Sequence, residues 1–299
     1  MKTPFSMIDT VARSVCGHGV VRTTSLAGGG MNETYRAELA SGRVVVVRIA
    51  HQDAPWFGDE AHLMTQARAA GVPTPEVFGL EHREYGDDVL SFSVQELLPG
   101  RSLDEILPLL SDHDVEQLLL DAGEKMARVH SVVPDGEHGI PHPLRHPESH
   151  TVAAVSRSLG ETFGPAAAAT VERGADFLCE AIAVGVPSLS ALGQGDFLPK
   201  NLLVDEGAIV GVLDWEFAGP ASPAFDLARW EVTAGEPLDD QIDVLRRGYE
   251  RITSPKEAAD DWTAAFAIDW SLELLAWKNP ASQAQIRRCI EVIDRFARR

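Results

Sequence analysis

The sequence predicts an α+β fold with two lobes, a small β-rich N-terminal lobe and a larger helical C-terminal lobe. In the first hundred residues, short β-prone runs alternate with turn signals, and one principal helical pattern interrupts them. After Gly100, apolar residues recur at helical spacing instead. Because Pro99 and Gly100 mark this change, we expect an N-terminal lobe over residues 1–98 and a C-terminal lobe over residues 99–299.

The N-terminal lobe is predicted to be built around a β-hairpin. Residues 33–49, ETYRAELASGRVVVVRI, form two β-prone runs on either side of the turn-forming pair Ser41-Gly42. A helical pattern begins at Gly58 and stops at Gly71, after which prolines prevent its continuation. Val89 to Glu96 is predicted to form a further strand.

The C-terminal lobe is predicted to contain several helices and a second, smaller hairpin. Ser111 and Asp114 suit a capping box at the start of an apolar helical stripe. The segments NLLV and AIVGVLD form two short β-prone runs that turn at Glu206-Gly207. Further helices are expected near residues 151–184, 237–252, 256–277 and 282–297.

Composition limits the partners and the location of the protein. The formal net charge of -19 would repel a phosphate backbone, so we expect no nucleic acid partner. No apolar run approaches the roughly 20 residues that span a bilayer, and the N-terminus lacks the pattern of a secretory signal. We therefore expect no membrane association, a cytoplasmic location, and a monomer or a homodimer.

Four histidines recur every four residues in the segment HGIPHPLRHPESH, as metal ligands on one face of a helix would. Prolines between them break any such helix, so the segment is predicted to be a solvated loop. The four histidines are His138, His142, His146 and His150. His130, at the end of the preceding helical stripe, is expected to be a packed and hydrogen-bonded side chain.

Three consecutive glycines, Gly28, Gly29 and Gly30, precede the first hairpin. A glycine backbone can approach a ligand closely and point its amide groups at it, as phosphate-binding loops do. This segment is therefore a candidate phosphate-binding loop, and a flexible turn is the alternative.

The segment GQGDFLPKNLLVDEGAIVGVLDW places three oxygen-bearing side chains around the second hairpin. Phosphoryl transfer from a nucleotide requires a group that holds the phosphates, a divalent metal, and a carboxylate that accepts the hydroxyl proton. Asp196 is the candidate proton acceptor, and the oxygens of Asn201 and Asp214 suit Mg²⁺. Taken one at a time, each residue could instead cap a turn or satisfy a loop.

Taken together, these residues resemble the signature of a known family. The segments GQGDFLPKNLLV and GVLDWEFAGPASPAFDLA are similar to those of the aminoglycoside phosphotransferase family, small-molecule kinases that share the bilobal protein-kinase fold. The usual family pattern is H-G-D-x-x-x-x-N, followed by an I-D-W turn and a D-P-x-x-D-L-A segment. The resemblance implies that Asp196 is the catalytic base, that Asn201 and Asp214 bind Mg²⁺, and that Asp226 is a structural acid.

The resemblance also implies which residues bind the nucleotide. Arg48 takes the place of the usual phosphate-contacting lysine, with Glu60 as its helix partner. The remaining implied positions are a phosphate-covering loop, Gly28, Gly29, Gly30 and Asn32, and a hinge that faces the adenine through backbone groups, Gln95, Glu96 and Leu97. The implied cofactors are Mg²⁺ and, as phosphoryl donor, ATP or GTP.

Two residues depart from the family pattern. Gln194 stands where the family usually has a histidine, and because a glutamine amide both donates and accepts hydrogen bonds, we expect retained activity. Arg48 stands where lysine is usual, and a guanidinium binds phosphate oxygens in a fork. The apolar run VVVVRI around Arg48 favours an inward-pointing functional group.

The predicted function is nucleotide-dependent phosphorylation of a hydroxyl on an aminoglycoside or macrolide antibiotic, which would confer resistance. Two alternatives remain open. A metabolite such as choline, homoserine, hydroxylysine or a sugar could be the acceptor, or the chain could bind nucleotide without transfer. Acidic and aromatic residues of the C-terminal lobe are candidates for the acceptor site: Glu216, Glu231, Glu236, Asp239, Asp240, Asp269, Glu273, Trp230, Trp262, Phe266, Trp270 and Trp277.

Overall fold

The structure, a computed structural model, places a five-stranded antiparallel sheet before a mostly helical part, in agreement with the predicted fold class. It describes residues 3–26, 32–52, 54, 56–86, 88–136, 138–235, 238, 241–253, 260–277 and 282–298. Within those residues, no helix is both long enough and apolar enough to cross a lipid bilayer.

The N-terminal sheet has the strand order β1-β2-β3-β5-β4, and every neighbouring pair is antiparallel. Its strands are β1 (Val20–Ser25), β2 (Glu33–Leu39), β3 (Val44–Ala50), β4 (Val77–Tyr85) and β5 (Asp88–Glu96). Two helices accompany the sheet: α1 (Phe5–Cys16), which precedes it, and α2 (Trp56–Ala69), which connects β3 to β4.

Alternation along β3 separates a core face from a cleft face. The core face packs against α1 around a set of buried apolar residues: Val45, Val47, Ile49, Ile8 and Val11. Because successive strand residues face opposite sides of a sheet, Val46 and Arg48 lie on the other face, where they line a cleft. Glu60 of α2 lines the same cleft.

The C-terminal part contains helices and short strands that pack around two apolar cores. Its elements are β6 (Arg101–Ser102), α3 (Leu103–Ile106), α4 (Asp112–His130), α5 (Ser149–Phe163), α6 (Pro165–Val184), β7 (Ala191–Gly193), β8 (Leu202–Asp205), β9 (Ala208–Val212), β10 (Gly219–Ala221), α7 (Pro223–Thr233), α8 (Ile242–Tyr249), α9 (Asp260–Ala276) and α10 (Gln283–Ala297). The hairpin of β8 and β9 is extended by β6, and β7 pairs with β10. These short strands frame the segment that carries Asp196 and Asn201.

Several predicted elements are confirmed. Strands β2 and β3 form the first hairpin, and β5 covers the predicted strand. Helix α4 begins at the predicted capping box, in which the Ser111 hydroxyl accepts from the Asp114 amide at 3.2 Å and the Asp114 carboxylate accepts from the Ser111 amide at 3.4 Å. The second hairpin turns at Glu206 and Gly207, whose φ angles are 47° and 80°.

Other elements differ from the predictions. The structure adds elements that were not predicted: α1, β1, β4, β6, α3, β7, β10 and α7. The predicted helical region 151–184 is two helices, because Gly164 adopts a φ of 89° and Pro165 begins a new helix. The helix expected over 237–252 is shorter, Ile242–Tyr249, and the described part of the helix expected over 256–277 is Asp260–Ala276.

Helices α4 and α8 pack closely against each other at two glycines, one on each helix. A Cβ added at Gly123 of α4 would overlap the Leu245 carbonyl oxygen, and Gly248 of α8 meets the α4 backbone in the same way. The two backbones are therefore closer than side chains would allow. The crossing brings His130, the last residue of α4, to Tyr249 of α8, whose hydroxyl lies 2.9 Å from His130 Nδ1.

We expect Gly123→Ala to lower the free energy of unfolding by about 1–3 kcal/mol, because the helices must separate to admit the methyl group. Gly58→Ala is the control, since a Cβ added at this exposed position of α2 meets no atom within 4 Å. Replacing this helical glycine by alanine should raise the free energy of unfolding by about 0.5–1 kcal/mol. Urea denaturation measures both values, and wild-type stability of Gly123→Ala would contradict the close crossing.

Candidate active site

A buried carboxylate, Asp226, holds the segment between β7 and β8. Its Oδ2 accepts from the Gln194 amide at 2.8 Å, and its Oδ1 accepts from the Gly195 amide at 3.0 Å. His130 Nε2 lies 3.1 Å from the same Oδ2. Burial alone would raise the pKa of Asp226, but these hydrogen bonds outweigh it and leave the pKa below its usual value. Asp226 thus joins α7, α4 and the loop, and the prediction of a packed His130 is confirmed.

Gln194 connects two parts of the candidate site. Its side-chain oxygen accepts from the Asp196 amide at 2.8 Å. Its side-chain nitrogen donates to the carbonyl oxygens of Leu213 at 3.0 Å and Asp214 at 2.7 Å. The side chain is fully buried. A glutamine can make these contacts because its amide both donates and accepts, so the departure from histidine at this position leaves the loop fully supported.

The backbone conformation and the packing of the loop require a glycine at position 195. Its φ of 86° lies in the left-handed region, which side-chain-bearing residues rarely adopt. A Cβ at this position would also overlap the Phe217 carbonyl oxygen. The chain can therefore turn toward Asp196 only through a glycine here.

The Asp196 side chain is buried and contacts three donors. Its Oδ2 accepts from Asn201 Nδ2 at 2.9 Å and from Lys200 Nζ at 2.7 Å. Its Oδ1 accepts from Arg229 Nη2 of α7 at 3.1 Å. Asn201 Nδ2 also donates to the Asp196 carbonyl oxygen at 2.9 Å, which fixes the loop between the two residues. Neither Lys200 nor Arg229 was singled out by the sequence.

Asp214 and Asn201 are neighbours across the second hairpin, where the Leu213 amide donates to the Asn201 carbonyl oxygen at 2.8 Å. Asp214 follows β9 with a φ of 59°, which is uncommon for a residue other than glycine. The next residue, Trp215, is buried and donates from Nε1 to the Val212 carbonyl oxygen at 2.9 Å. The Trp215 anchor and the Gln194 hydrogen bond hold this turn in place.

Arg48 lies among three carboxylates. It forms a buried ion pair with Glu60, and its Nη2 lies 3.7 Å from Asp214 Oδ1 and 4.0 Å from Glu216 Oε2. Burial raises the pKa of Asp214, Arg48 opposes this rise, and the negative charge of Asp196 adds to it. Burial raises the pKa of Glu216 as well, with a further contribution from Asp214. The site therefore concentrates negative charge around the Arg48 guanidinium.

A cleft of about 470 Å³ lies between the sheet and the second hairpin. Its wall includes most of the residues predicted to bind nucleotide or metal: Asn32, Arg48, Glu60, Gln95, Glu96, Leu97, Asn201 and Asp214. Asp196 is not part of this wall, but it contacts Lys200 and Asn201, which are. Gly28, Gly29 and Gly30 lie outside the described residues, so the phosphate-binding loop stays a prediction.

The predicted hinge residues lie where β5 leaves the sheet. The Gln95 side chain is buried and donates to Ser93 Oγ at 2.9 Å. The Glu96 amide donates to the Glu76 carbonyl oxygen at 2.8 Å, and its carboxylate accepts from the Glu76 amide at 3.1 Å. Because the Glu96 amide is used within the protein, contact with a base would have to come from other backbone groups of the hinge.

The histidine-rich segment is not helical up to Glu148, as predicted, but His150 lies in the first turn of α5, and the segment is not fully solvated. The His142 ring stacks on Phe225 with ring centroids 4.1 Å apart, and its Nε2 lies 2.6 Å from the Phe217 carbonyl oxygen. His138 Nδ1 lies 2.7 Å from Asp59 Oδ1. The prediction of a solvated loop is therefore wrong for His150, which is helical, and for His142, whose amide donates to the Pro220 carbonyl oxygen of β10 at 3.0 Å.

The candidate acceptor residues separate into three groups: residues used in packing, residues outside the described part of the chain, and residues that stay candidates. Glu231 is buried and forms ion pairs with Arg295 and Arg246, so it belongs to the packing of α7 against other helices and not to the cleft. The aromatic residues Trp230 and Phe266 are core residues, and Trp262 packs against the second core. The remaining candidates are Glu236, Asp239 and Asp240, which lie outside the described residues, and Glu216, Asp269, Glu273, Trp270 and Trp277.

Helix α9 carries an acid with an unusual pKa. Burial raises the pKa of Asp269 to about 7, the charge of Glu273 adds to the rise, and Arg145 opposes it. Trp270, the next residue, packs edge-on against Trp277, with ring centroids 6.0 Å apart. Glu273 and Trp277 are exposed, whereas Asp269 and Trp270 are half-buried. Together α9 and the residue that follows it carry acidic and aromatic side chains, of which Trp270 contacts Arg229.

The sheet, the helical part and the site together define a protein-kinase-like phosphotransferase. The family model described as "Phosphotransferase enzyme family" (APH) matches residues 22–266. Because this match covers most of the chain, the chain belongs to that family and is a small-molecule phosphotransferase. No curated protein matches the chain.

Solved structures share the fold over nearly the whole chain. One is a thermostable mutant of aminoglycoside phosphotransferase APH(4)-Ia in ternary complex with AMP-PNP and hygromycin B, with a TM-score of 0.64, 20% identity, and coverage of 97% of this chain and 98% of that chain. Another, from Thermobifida fusca, is described as a fructosamine-3-kinase, with a TM-score of 0.61, 19% identity, and coverage of 97% and 98%. A macrolide 2'-phosphotransferase type I has a TM-score of 0.55, 17% identity, and coverage of 96% of each chain.

We expect Asp226→Asn to lower the free energy of unfolding at pH 7 by about 3–5 kcal/mol, because an amide cannot replace a buried carboxylate that accepts from three donors. The lowered pKa makes this stabilisation complete above the ordinary value of 3.8, and it is lost as the pH falls through the lowered value. The difference between variant and wild type should therefore shrink in acid.

Denaturant titrations from pH 7 to pH 3 test this expectation. Asp294→Asn is the control, because Asp294 forms partly exposed ion pairs with Arg173 and Arg298, and its loss should cost about 0–1 kcal/mol. A difference for Asp226→Asn that is small at pH 7, or that grows in acid, would contradict the assigned role.

Proposed function

We propose that the protein transfers the γ-phosphoryl group of ATP or GTP to a hydroxyl of a small molecule, with an aminoglycoside or macrolide antibiotic as the acceptor. The observation that carries this proposal is the convergence of Asn201, Asp214 and Arg48 on one cleft, with Asp196 hydrogen-bonded to Asn201. We further propose that it acts in the cytoplasm as a monomer or homodimer, without nucleic acid.

Asp196 is proposed as the group that orients the acceptor and takes its proton. As the acceptor oxygen bonds to the γ-phosphorus, the bond from that phosphorus to the bridging oxygen breaks, and the hydroxyl proton passes to the Asp196 carboxylate. The nucleoside diphosphate then leaves. Because Asp196 is held by Asn201, Lys200 and Arg229, its carboxylate needs little reorganisation at the moment of reaction.

The chemistry of the donor set fits Mg²⁺. The hydrogen bonds of Asn201 use its amide nitrogen, which leaves its oxygen for a ligand, and Asp214 offers a carboxylate on the same cleft. No group of three or more His, Cys, Asp or Glu side chains in the described part of the chain could hold a metal. One carboxylate and one amide suit Mg²⁺, which usually takes its other ligands from phosphates and water. The bound ion would neutralise phosphate charge.

Arg48 is proposed to contact the phosphates from the sheet side of the cleft. Its guanidinium stays charged because the attraction of Glu60 and the other carboxylates outweighs the burial that would lower its pKa. Glu60 fixes one side of the guanidinium through Nη1, while Nη2 is directed toward Asp214 and Glu216. A phosphate held there would be close to the proposed metal ligands.

The proposed acceptor class rests on α9 and on the proteins with the same fold. Asp269, Glu273 and the neighbouring tryptophans combine acidic and aromatic surface near Arg229, which suits a bulky, amine-bearing acceptor. Hygromycin B is bound in the APH(4)-Ia complex, which supports an antibiotic acceptor. A second candidate acceptor, an amine-bearing sugar derivative of metabolism, is supported by the protein described as a fructosamine-3-kinase.

The acceptor is tested by incubating the protein with Mg²⁺, ATP or GTP, and a panel of aminoglycosides, macrolides, fructosamines and small alcohols. Mass spectrometry should detect an antibiotic heavier by one phosphoryl group. Product from a metabolite alone would support the second candidate. Nucleotide binding without any phosphorylated product would favour a kinase-fold binding protein and contradict the proposal.

We expect Asp196→Asn to lower kcat by about 100- to 10,000-fold, since an amide cannot accept the hydroxyl proton. Nucleotide affinity in Mg²⁺ should stay near the wild-type value, because Asp196 is not part of the cleft wall. Steady-state kinetics and nucleotide titration measure the two quantities. Parallel loss of both would mean that Asp196 acts only in holding the loop.

Asp214→Ala is expected to weaken Mg²⁺-nucleotide binding by at least about 10-fold, the loss caused by removing even an outer-shell partner of a metal. In EDTA the variant and the wild type should bind nucleotide alike. Asp205→Ala is the control, because this exposed residue ends β8 away from the cleft wall. Unchanged affinity of Asp214→Ala in Mg²⁺ would exclude Asp214 as a metal ligand.

A further inference from the structure

The two oxygens of the Asp196 carboxylate are held by different parts of the chain. Oδ2 accepts from Asn201 and Lys200, which belong to the same loop as Asp196. Oδ1 accepts from Arg229 Nη2 at 3.1 Å, and Arg229 belongs to α7. Because the terminal torsion of an aspartate is broad, each further donor narrows the range of orientations that the carboxylate can take. A donor on a separate helix selects one orientation.

Arg229 is itself fixed by two aromatic rings. Its guanidinium carbon lies 3.9 Å from the ring centroid of Trp270 and 5.6 Å from that of Phe225. Trp270 Nε1 donates to Thr233 Oγ1 at 2.8 Å, which sets the orientation of the indole. Only 8% of Arg229 is exposed, so the cation–π contact is largely desolvated and correspondingly strong. These contacts therefore fix the position from which Arg229 Nη2 donates to Asp196.

Burying a cation at this position is costly. Burial lowers the pKa of Arg229, although the charges of Asp196, Asp226 and Glu273 oppose this effect. Its Nε is buried and has no hydrogen-bond partner among the described residues. An apolar side chain of similar length would avoid both costs, but it would remove one partner of a buried ion pair and leave Asp196 with its two loop donors. The contact with Asp196 is the feature that an apolar replacement would lose.

We propose that Arg229 is a positioning residue for Asp196, and that Trp270 holds the Arg229 guanidinium in place for this purpose. This inference rests on the proposed function. Arg229 does not line the nucleotide cleft. Its loss should therefore affect the transfer step, for which carboxylate orientation matters, and leave nucleotide binding unchanged.

The first test is Arg229→Met, which keeps the length and apolar body of the side chain. We expect kcat to fall by about 10- to 100-fold, the range caused by misplacing a reacting group, with unchanged nucleotide affinity. Arg229→Lys should restore part of kcat, because it keeps the charge without the planar fork. The control Arg247→Met removes an exposed arginine of α8 that pairs with Glu116, and it should retain wild-type kinetics. Thermal unfolding of each variant reports folding.

A double-mutant cycle tests the role of Trp270. Trp270→Phe should lower kcat, and combining it with Arg229→Met should cause no further loss, because both changes remove the same positioning contact. Additive losses would show that Trp270 acts independently. If Arg229→Met does not fold, Arg229→Gln supplies the same comparison in the cycle.

Three outcomes overturn the inference. Wild-type kcat in the folded Arg229 variant would show that Asp196 does not need this donor. Equal loss of kcat and nucleotide affinity would assign Arg229 a general structural role. Absence of turnover by the wild type on every acceptor would contradict the proposed function and the positioning role with it. If the wild type is active and the Arg229 variant keeps its kcat, only the positioning role is contradicted.

Discussion

The buried carboxylate of Asp226 is the constraint on which the candidate site depends. It accepts from two successive loop amides and contacts His130, so it fixes the direction in which the chain leaves β7. That direction is possible only because Gly195 adopts a positive φ beneath the Phe217 carbonyl. Asp196 follows immediately. The position of the proposed base is therefore decided by a residue 30 positions later in the chain.

Gln194 connects the loop that carries Asp196 to the turn that carries Asp214, a proposed metal ligand. Its amide oxygen holds the Asp196 backbone, and its amide nitrogen holds the backbone at Leu213 and Asp214. From the sheet side, Arg48 Nη2 lies 3.7 Å from Asp214 Oδ1. The loop and the second hairpin thus meet through buried hydrogen bonds, which are costly to break, and β3 joins them through a partly exposed ion pair.

The sequence predicts the residues of the candidate site better than the residues that hold them in place. The spacing of Asp196, Asn201 and Asp214 lies within one short segment, so local pattern is sufficient to single them out. The contact of Arg229 with Asp196 joins residues on different elements, and no periodicity indicates it. Strand β4 escapes prediction because it is an edge strand with many charged residues, EHRE, which hide its β propensity. By contrast, the apolar spacing at the buried positions of α1 is a signal that could have revealed that helix.

Asn201 and Asp214 are proposed to bind a metal-nucleotide complex in the cleft, with Asp196 beside the terminal phosphate. A crystal structure with Mg²⁺ and a non-hydrolysable ATP analogue tests it most directly. We expect the ion to bond to the Asn201 side-chain oxygen and an Asp214 carboxylate oxygen at about 2.0–2.1 Å. A nucleotide bound outside the cleft, or an ion held only by other groups, would contradict the account.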